Sequence, residues 1–337
     1  MPPSTTQPPA MQPGALGLGS VLTGWQGAFL LLAAIWGSSF LFIKIGLEAL
    51  SPLQVALGRM AFGTVTLLVI VLIRGERLPR DRWLWGHLAI TALLLNALPF
   101  SLFAYGETAV SSILAGIWNA TTPLLTLVVV LVALPEERPT RRRVVGLLIG
   151  FAGVLVVLGS WRGVEAGALL GNLACLGAAA SYGLGFPYSR RYLAGRPESV
   201  LALSTAQLLC GTAELMLVTP LPTLSVAGIP VRVLVSVATL GAIGTGIAYI
   251  LNNRIIREAG ATTASTVTYL IPLFSTVAGL LVLDERLSWH EPLGGLIVLL
   301  GVAVSQGRLS LLPRWPGSPG GDGAGNAEST TDQEASS

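Results

Sequence analysis

The chain has 337 residues, of which 52% are hydrophobic and only 11% charged, with a net charge of +3 and a mean hydropathy of +0.71. A soluble domain carries about 25% charged residues, so a water-coated globule of this size is excluded. The small positive excess is parcelled into short loops, which argues against a nucleic-acid partner.

Residues 1–24 are rich in Pro, Gly, Ser and Thr and hold no Lys or Arg. They lack the basic start of a signal peptide and read as a disordered tail before an uncleaved first span. Apolar blocks then recur at 27–47, 52–73, 83–105, 111–133, 143–160, 167–189, 199–219, 232–253, 260–283 and 291–307. Blocks of roughly 18 to 25 residues cross about 30 Å of hydrocarbon at about 1.5 Å per residue. Period-two alternation is absent, so a β-barrel is disfavoured, and a helix satisfies its own backbone in lipid. The expected fold is an all-α membrane protein of ten transmembrane helices. Residues 313–337, rich in Gly, Ser and acidic side chains, read as a second disordered tail.

Basic residues orient the spans. With the N-terminus in the cytoplasm, cytoplasmic segments hold 15 of the 20 Lys and Arg residues and the opposite side 5. Both termini are then cytoplasmic, and so is the loop carrying Arg141, Arg142 and Arg143.

The chain also resembles itself. Trp36-Gly37, Phe40 and Lys44 recur as Tyr182-Gly183, Phe186 and Arg190, 146 residues later. Pro123 recurs as Pro272, and Glu137-Arg138, Gly146 and Gly153 recur as Glu285-Arg286, Gly294 and Gly301. The halves are 27–160 and 167–307, with five spans each. An odd number makes the second half enter from the opposite face, so the repeats are inverted, as in carriers that rock two halves about a midplane site.

The polar content of the spans is uneven. The fifth and tenth are glycine-rich and free of polar side chains from Val144 to Leu158 and from Leu293 to Val304. They read as close-packed scaffold, where truncating Leu148 is expected to open a packing cavity. Trp25, Trp83, Trp85, Trp161 and Trp289 lie near span ends, as interfacial anchors do. Trp36, Trp118, Tyr182 and Tyr269 lie deeper. The expected central cavity is lined by Trp36, Ser39, Phe100, Asn119, Tyr182, Tyr249 and Tyr269. Pro99, Pro123, Pro187 and Pro272 are read as helix-breaking, each freeing the carbonyl four residues earlier. Among intramembrane charges, Arg59 snorkels outward or pairs within the bundle, and Glu214 is the span acid available to a coupling proton or to outward snorkelling. His87 and His290 are read as interfacial. Cys175 and Cys210 both lie inside spans, so neither a disulfide framework nor a metal site is expected, and no cofactor.

The ordered motifs resemble the EamA family of the drug/metabolite transporter superfamily. In the first half they are Ile35-Trp36-Gly37-Ser38-Ser39-Phe40 with Lys44, Ser51-Pro52, Arg59, Asn96-Ala97-Leu98-Pro99-Phe100, Asn119-Ala120-Thr121-Thr122-Pro123, Glu136-Glu137-Arg138 and Gly150-Phe151-Ala152-Gly153-Val154. In the second they are Ser181-Tyr182-Gly183, Thr245-Gly246-Ile247-Ala248-Tyr249, Gly260-Ala261-Thr262 and Thr268-Tyr269-Leu270-Ile271-Pro272. Where the family often has Gly-Glu after the ninth span, this chain has Asp284-Glu285. The resemblance covers about residues 27–307. It implies two inverted five-helix EamA repeats and a secondary carrier of small metabolites such as amino acids.

The expected function is alternating-access movement of an amino acid or similar amphipathic solute, outward, across the cell membrane (the bacterial inner membrane). The partners are that small-molecule substrate and the lipid bilayer. A nucleotide-driven pump is excluded, because the P-loop needs a Gly-rich loop ending in Lys and the single lysine, Lys44, lies inside an apolar helix. A membrane-embedded enzyme or a non-transporting scaffold is the competing class. An enzyme would need a nucleophile–base pair, acidic pair or metal cluster, for which two edge histidines are poor material.

Overall fold

The computed structural model describes residues 24–133, 140–159, 166–220 and 228–309. Both tails lie outside these residues except Gly24, as do Glu136, Glu137, Arg138, Trp161 and Arg162.

The first half comprises α1 (Trp25–Gly46), α2 (Pro52–Ile73), α3 (Arg82–Ala92), α4 (Leu98–Gly106), α5 (Ser112–Asn119), α6 (Thr122–Ala133) and α7 (Arg141–Val157). The second comprises α8 (Ala166–Leu193), α9 (Val200–Val218), α10 (Val231–Gly241), α11 (Ala248–Ala259), α12 (Ala261–Ser265), α13 (Ile271–Val282) and α14 (His290–Ser305). Four pairs of these helices continue one another and, with α1, α2, α8 and α9, give eight rods long and apolar enough to cross a membrane. The described residues are all-helical, and the chain is a multi-pass membrane protein. The helices of the predicted fifth and tenth spans are shorter, with α7 at 17 residues and α14 at 16.

Local chemistry repeats between the halves. Ser51 caps α2 and Ser199, 148 residues on, caps α9, each accepting from a backbone N–H in the first turn. A π-helical turn at Leu93–Ala97 joins α3 to α4, and another at Ala242–Ile247 joins α10 to α11. The chain breaks at Ala120–Thr121 before Pro123, and winds as a 3₁₀ turn at Thr266–Tyr269 before Pro272. Pro99, Pro123 and Pro272 thus occupy the first turns of α4, α6 and α13, where a missing N–H costs nothing. Pro187 corrects the expectation of a break, because α8 runs through it without interruption. A proline inside a membrane helix is tolerated where surrounding groups satisfy the freed carbonyl.

Two contacts mark an internal two-fold relation. Thr64 and Thr212, 148 residues apart, meet each other through their hydroxyls at 2.8 Å. Gly146 lies against the Gly301 backbone and Gly153 against that of Gly294, an exchange of equivalent partners between α7 and α14. These helices pack along their length without room for a Cβ, because one added at Gly301 would stand 2.4 Å from the Gly150 nitrogen and 2.7 Å from the Gly146 oxygen. This agrees with the scaffold reading of the pair. Leu148, however, is 65% exposed, on an outer face with Phe151 and Leu155. It points away from the seam, so the expected packing cavity does not follow from its truncation.

Candidate functional site

The remaining helices surround one cavity of about 380 Å³. α1, with α10, α11 and α13 against it, supplies Trp36, Ser39 and Phe40. α8 packs on α3, α4 and α6 in the repeat-related arrangement and supplies Tyr182, Phe186 and Ser189. Glycine allows both approaches. A Cβ on Gly37 would meet Phe274 and the Ile271 oxygen of α13, while one on Gly183 would meet Leu125 and Thr126 of α6.

The walls are built largely from equivalent positions. Trp36 faces the same space as Tyr182, Phe40 as Phe186, Phe100 as Tyr249, and Asn119 as Thr268. The cavity therefore lies between the two halves. Six residues expected there from the sequence are brought together: Trp36, Ser39, Phe100, Asn119, Tyr182 and Tyr249.

Tyr269 is not in the lining. The 3₁₀ winding brings Thr268 to the cavity instead, and the Tyr269 hydroxyl donates to Gln306 Oε1 at 2.5 Å, with the Arg308 guanidinium 5.9 Å from its ring. Trp118, also deep, is buried and donates Nε1–H to Asn172 Oδ1 at 2.7 Å, a packing role. None of the four prolines lines the space; Pro99, Pro123 and Pro272 border the helix breaks, whereas Pro187 lies within α8. Glu214 lies on α9 outside the lining. Of the two histidines, His87 stacks on Tyr192 and bonds the Tyr188 hydroxyl at 2.6 Å, and His290 is buried.

The polar framework holds a bond that occurs twice. Arg59 Nε–H donates to Thr245 Oγ1 at 2.9 Å. Gln207, at the position equivalent to Arg59, donates Nε2–H to Asn96 Oδ1 at 2.6 Å. Asn96 and Thr245 are the equivalent residues within the two π-helical turns. Asn96 Nδ2–H in turn donates to the Tyr249 hydroxyl at 2.6 Å. Arg59 is 9% exposed and its guanidinium lies 3.7 Å over the Phe100 ring. It neither snorkels nor pairs with a carboxylate among the described residues. Sequence reading missed Gln207 as a lining residue, although the 148-residue offset from Arg59 points directly to it.

One end of the bundle is sealed. Phe40 and Phe103 meet edge to face at 5.4 Å. Beyond them Lys44 Nζ–H donates to the main-chain oxygens of Glu107 and Val110, at 2.6 and 2.8 Å. Glu285 caps α5, accepting from the Ser112 and Ile113 amides at 2.8 and 3.2 Å and from the Ser112 hydroxyl at 2.8 Å. Asp284 turns the chain toward that cap with φ +50°, where the family often has glycine. At the other end the cavity runs out past Ser189, Ser204 and Asn253 to the termini of α8, α9 and α11. Exposure rises along it from 3% at Phe103 to 38% at Ile256. No group of three His, Cys, Asp or Glu side chains comes together among the described residues.

The EamA-like transporter family model matches this chain twice, over residues 24–159 and 169–306. The uncharacterized inner membrane transporter YedA of Escherichia coli K12 is 31% identical over 303 residues, which cover 86% of this chain and 93% of YedA. The uncharacterized transporter YcxC of Bacillus subtilis 168 is 27% identical over 309 residues, 87% of this chain and 96% of YcxC. A solved structure, described only as the crystal structure of a protein, has the same fold at a TM-score of 0.59 and 22% identity, covering 83% of this chain and 96% of its own. With both halves matched in the order of the repeats, the chain belongs to the EamA-like transporter family.

Proposed function

We propose that the protein is a secondary carrier that moves a small amphipathic metabolite, such as an amino acid, out across the cell membrane by alternating access. In this reading it has ten transmembrane helices in two inverted five-helix repeats, with α7 and α14 as the two short ones. It is a carrier rather than an enzyme. The observation behind the proposal is the cavity itself. It is walled by equivalent residues of both halves, closed at the Lys44 end and continuous with the opposite face. A rocking motion of two such halves exchanges which end is sealed.

The positive-inside rule puts the face with Arg190, Arg191, Arg254 and Arg257 in the cytoplasm, together with both termini. The conformation is then the one that loads solute from the cytoplasm for export. Single cysteines in the Arg141–Arg143 loop should resist impermeant maleimide added to intact cells; labelling there would reverse the assignment.

The functional test is flux in proteoliposomes. A carrier gives saturable uptake and counterflow of a loaded solute. Trp36→Ala and Asn119→Ala should each reduce flux about tenfold or more, the loss of roughly 1.4 kcal/mol or more of transition-state or binding energy. Linear, unsaturable flux would make the protein a channel, and no flux of any metabolite in a broad panel would leave the scaffold reading.

A further inference from the structure

The lining of the cavity contains one formal charge, Arg59, and no carboxylate. Its other polar groups are neutral amides and hydroxyls. A buried guanidinium with no carboxylate in salt-bridge contact is costly unless something compensates it, and the buried Glu107 carboxylate acts on Arg59 only from beyond that distance. The fold accounts for only part of this side chain. Nε is tied to Thr245 and the plane rests on Phe100, while neither Nη has a hydrogen-bond partner among the described residues.

The repeat supplies an internal control. The equivalent bond in the other half, Gln207 to Asn96, is made by a neutral glutamine. Holding the π-helical turn therefore requires a donor and not a charge. The cation at position 59 is surplus to the structural task, and it is presented to the cavity with its orientation already fixed. A guanidinium held in this way is matched to a carboxylate by two parallel N–H···O bonds. The same charge repels a cation in a space of low polarity. Trp36, Phe40 and Tyr182 offer apolar faces to the rest of the molecule.

We propose that Arg59 is the anchor for a carboxylate group, and that the transported solute is a small organic acid or amino acid whose carboxylate is obligatory for binding. The inference rests on the carrier reading only for the word transported; the binding site stands without it.

The test is binding to the purified full chain in nanodiscs, followed by calorimetry, with matched acid and amide pairs. The panel is 3-phenylpropionate and its amide, hexanoate and its amide, lactate and its amide, and phenylalanine and phenylalaninamide. At least one acid should bind the native protein tenfold or more tightly than its amide. Arg59→Gln copies the residue that the other half uses, so it should keep the folded state and abolish the preference. Arg59→Lys should retain the sign of the preference with a smaller ratio. If no acid outbinds its amide, or if folded Arg59→Gln keeps the preference, the anchor is refuted. Should Arg59→Gln not fold, an undiminished preference in Arg59→Lys would refute it equally. Counterflow separates the two readings. Arg59-dependent acid binding without flux would sink the carrier and leave the anchor, whereas saturable flux of neutral or cationic solutes, unaffected by Arg59→Gln, would do the opposite.

Discussion

The α7–α14 seam and the cavity helices use the same internal repeat in opposite ways. At the seam, equivalent positions carry the same residue: glycine at 146 and 294, and again at 153 and 301. Around the cavity most equivalent positions have diverged, Trp36 against Tyr182, Phe100 against Tyr249 and Arg59 against Gln207, with Phe40 and Phe186 the pair that stays identical. Backbone contact leaves no freedom to vary, since any Cβ meets main-chain atoms that cannot move aside. A cavity wall only has to keep its framework bonds, so its side chains are free to become specific. Identity between the halves is therefore commonest where backbones touch, and divergence is commonest around the cavity.

The largest expected effect breaks the first term of that comparison. Gly301→Val puts a branched side chain where even a Cβ stands 2.4 Å from the Gly150 nitrogen. Overpacking a close-packed interface costs about 1–3 kcal/mol, and more where only backbone is available to yield. We expect at least about 3 kcal/mol here, seen as loss of monodisperse protein on size exclusion. A Gly301→Val variant with the native elution profile and melting temperature would show that the seam is looser than its geometry.

Next is the sealed end, where structure and function meet. Lys44→Met removes two charge-assisted bonds to the Glu107 and Val110 carbonyls. Bonds to charged groups contribute about 1.5–3 kcal/mol, so the melting temperature should drop. The seal should also leak. Cys175 is buried beside Gly106 below it, and in a Cys210→Ser background Lys44→Met should raise its labelling rate by maleimide about tenfold. A lowered melting temperature with unchanged Cys175 labelling would make Lys44 a structural brace alone.

A smaller change has the opposite sign. Asp284 adopts φ +50° so that Glu285 can reach the α5 amides. Non-glycine residues pay steric strain there, although Asp tolerates it better than most. Asp284→Gly should therefore stabilise the protein, by about 0.5–1 kcal/mol once the greater unfolded-state freedom of glycine is deducted. A fall in melting temperature would mean that the Asp284 side chain itself contributes.

The fold was legible because apolar length and repeat offset are strong signals in a membrane protein. The cavity was legible in part for the same reason: aromatic depth led to Trp36 and Tyr182. Two failures have physical causes. Tyr269 sits at a 3₁₀ turn, which shifts the angular phase that an α-helical reading assumes. The Lys44 bonds span 63 and 66 residues of chain and end on backbone atoms, which carry no side-chain signature.

Leu148 shows a third cause, and its prediction is the smallest. In water an apolar stripe tells which face of a helix is buried, but lipid is as apolar as a protein core, so α7 is hydrophobic all round. The sequence pattern could not tell the seam face from the lipid face. The structure distinguishes them, with Gly146, Gly150 and Gly153 buried at or near the seam, and Leu148, Phe151 and Leu155 exposed. Truncating a lipid-facing leucine creates no enclosed cavity, because acyl chains fill the vacated space, and there is no net transfer from protein core to water. Leu148→Ala should change stability by less than about 0.5 kcal/mol, the usual bound for surface positions. Leu124→Ala makes the contrast, since that side chain is buried and one of its methyls stands 2.1 Å from where a Gly150 Cβ would be. It should cost about 2 kcal/mol or more, as buried leucine truncations do. Melting both variants in nanodiscs of the same lipid measures the difference, and equal losses would mean that α7 presents its Leu148 face to protein after all.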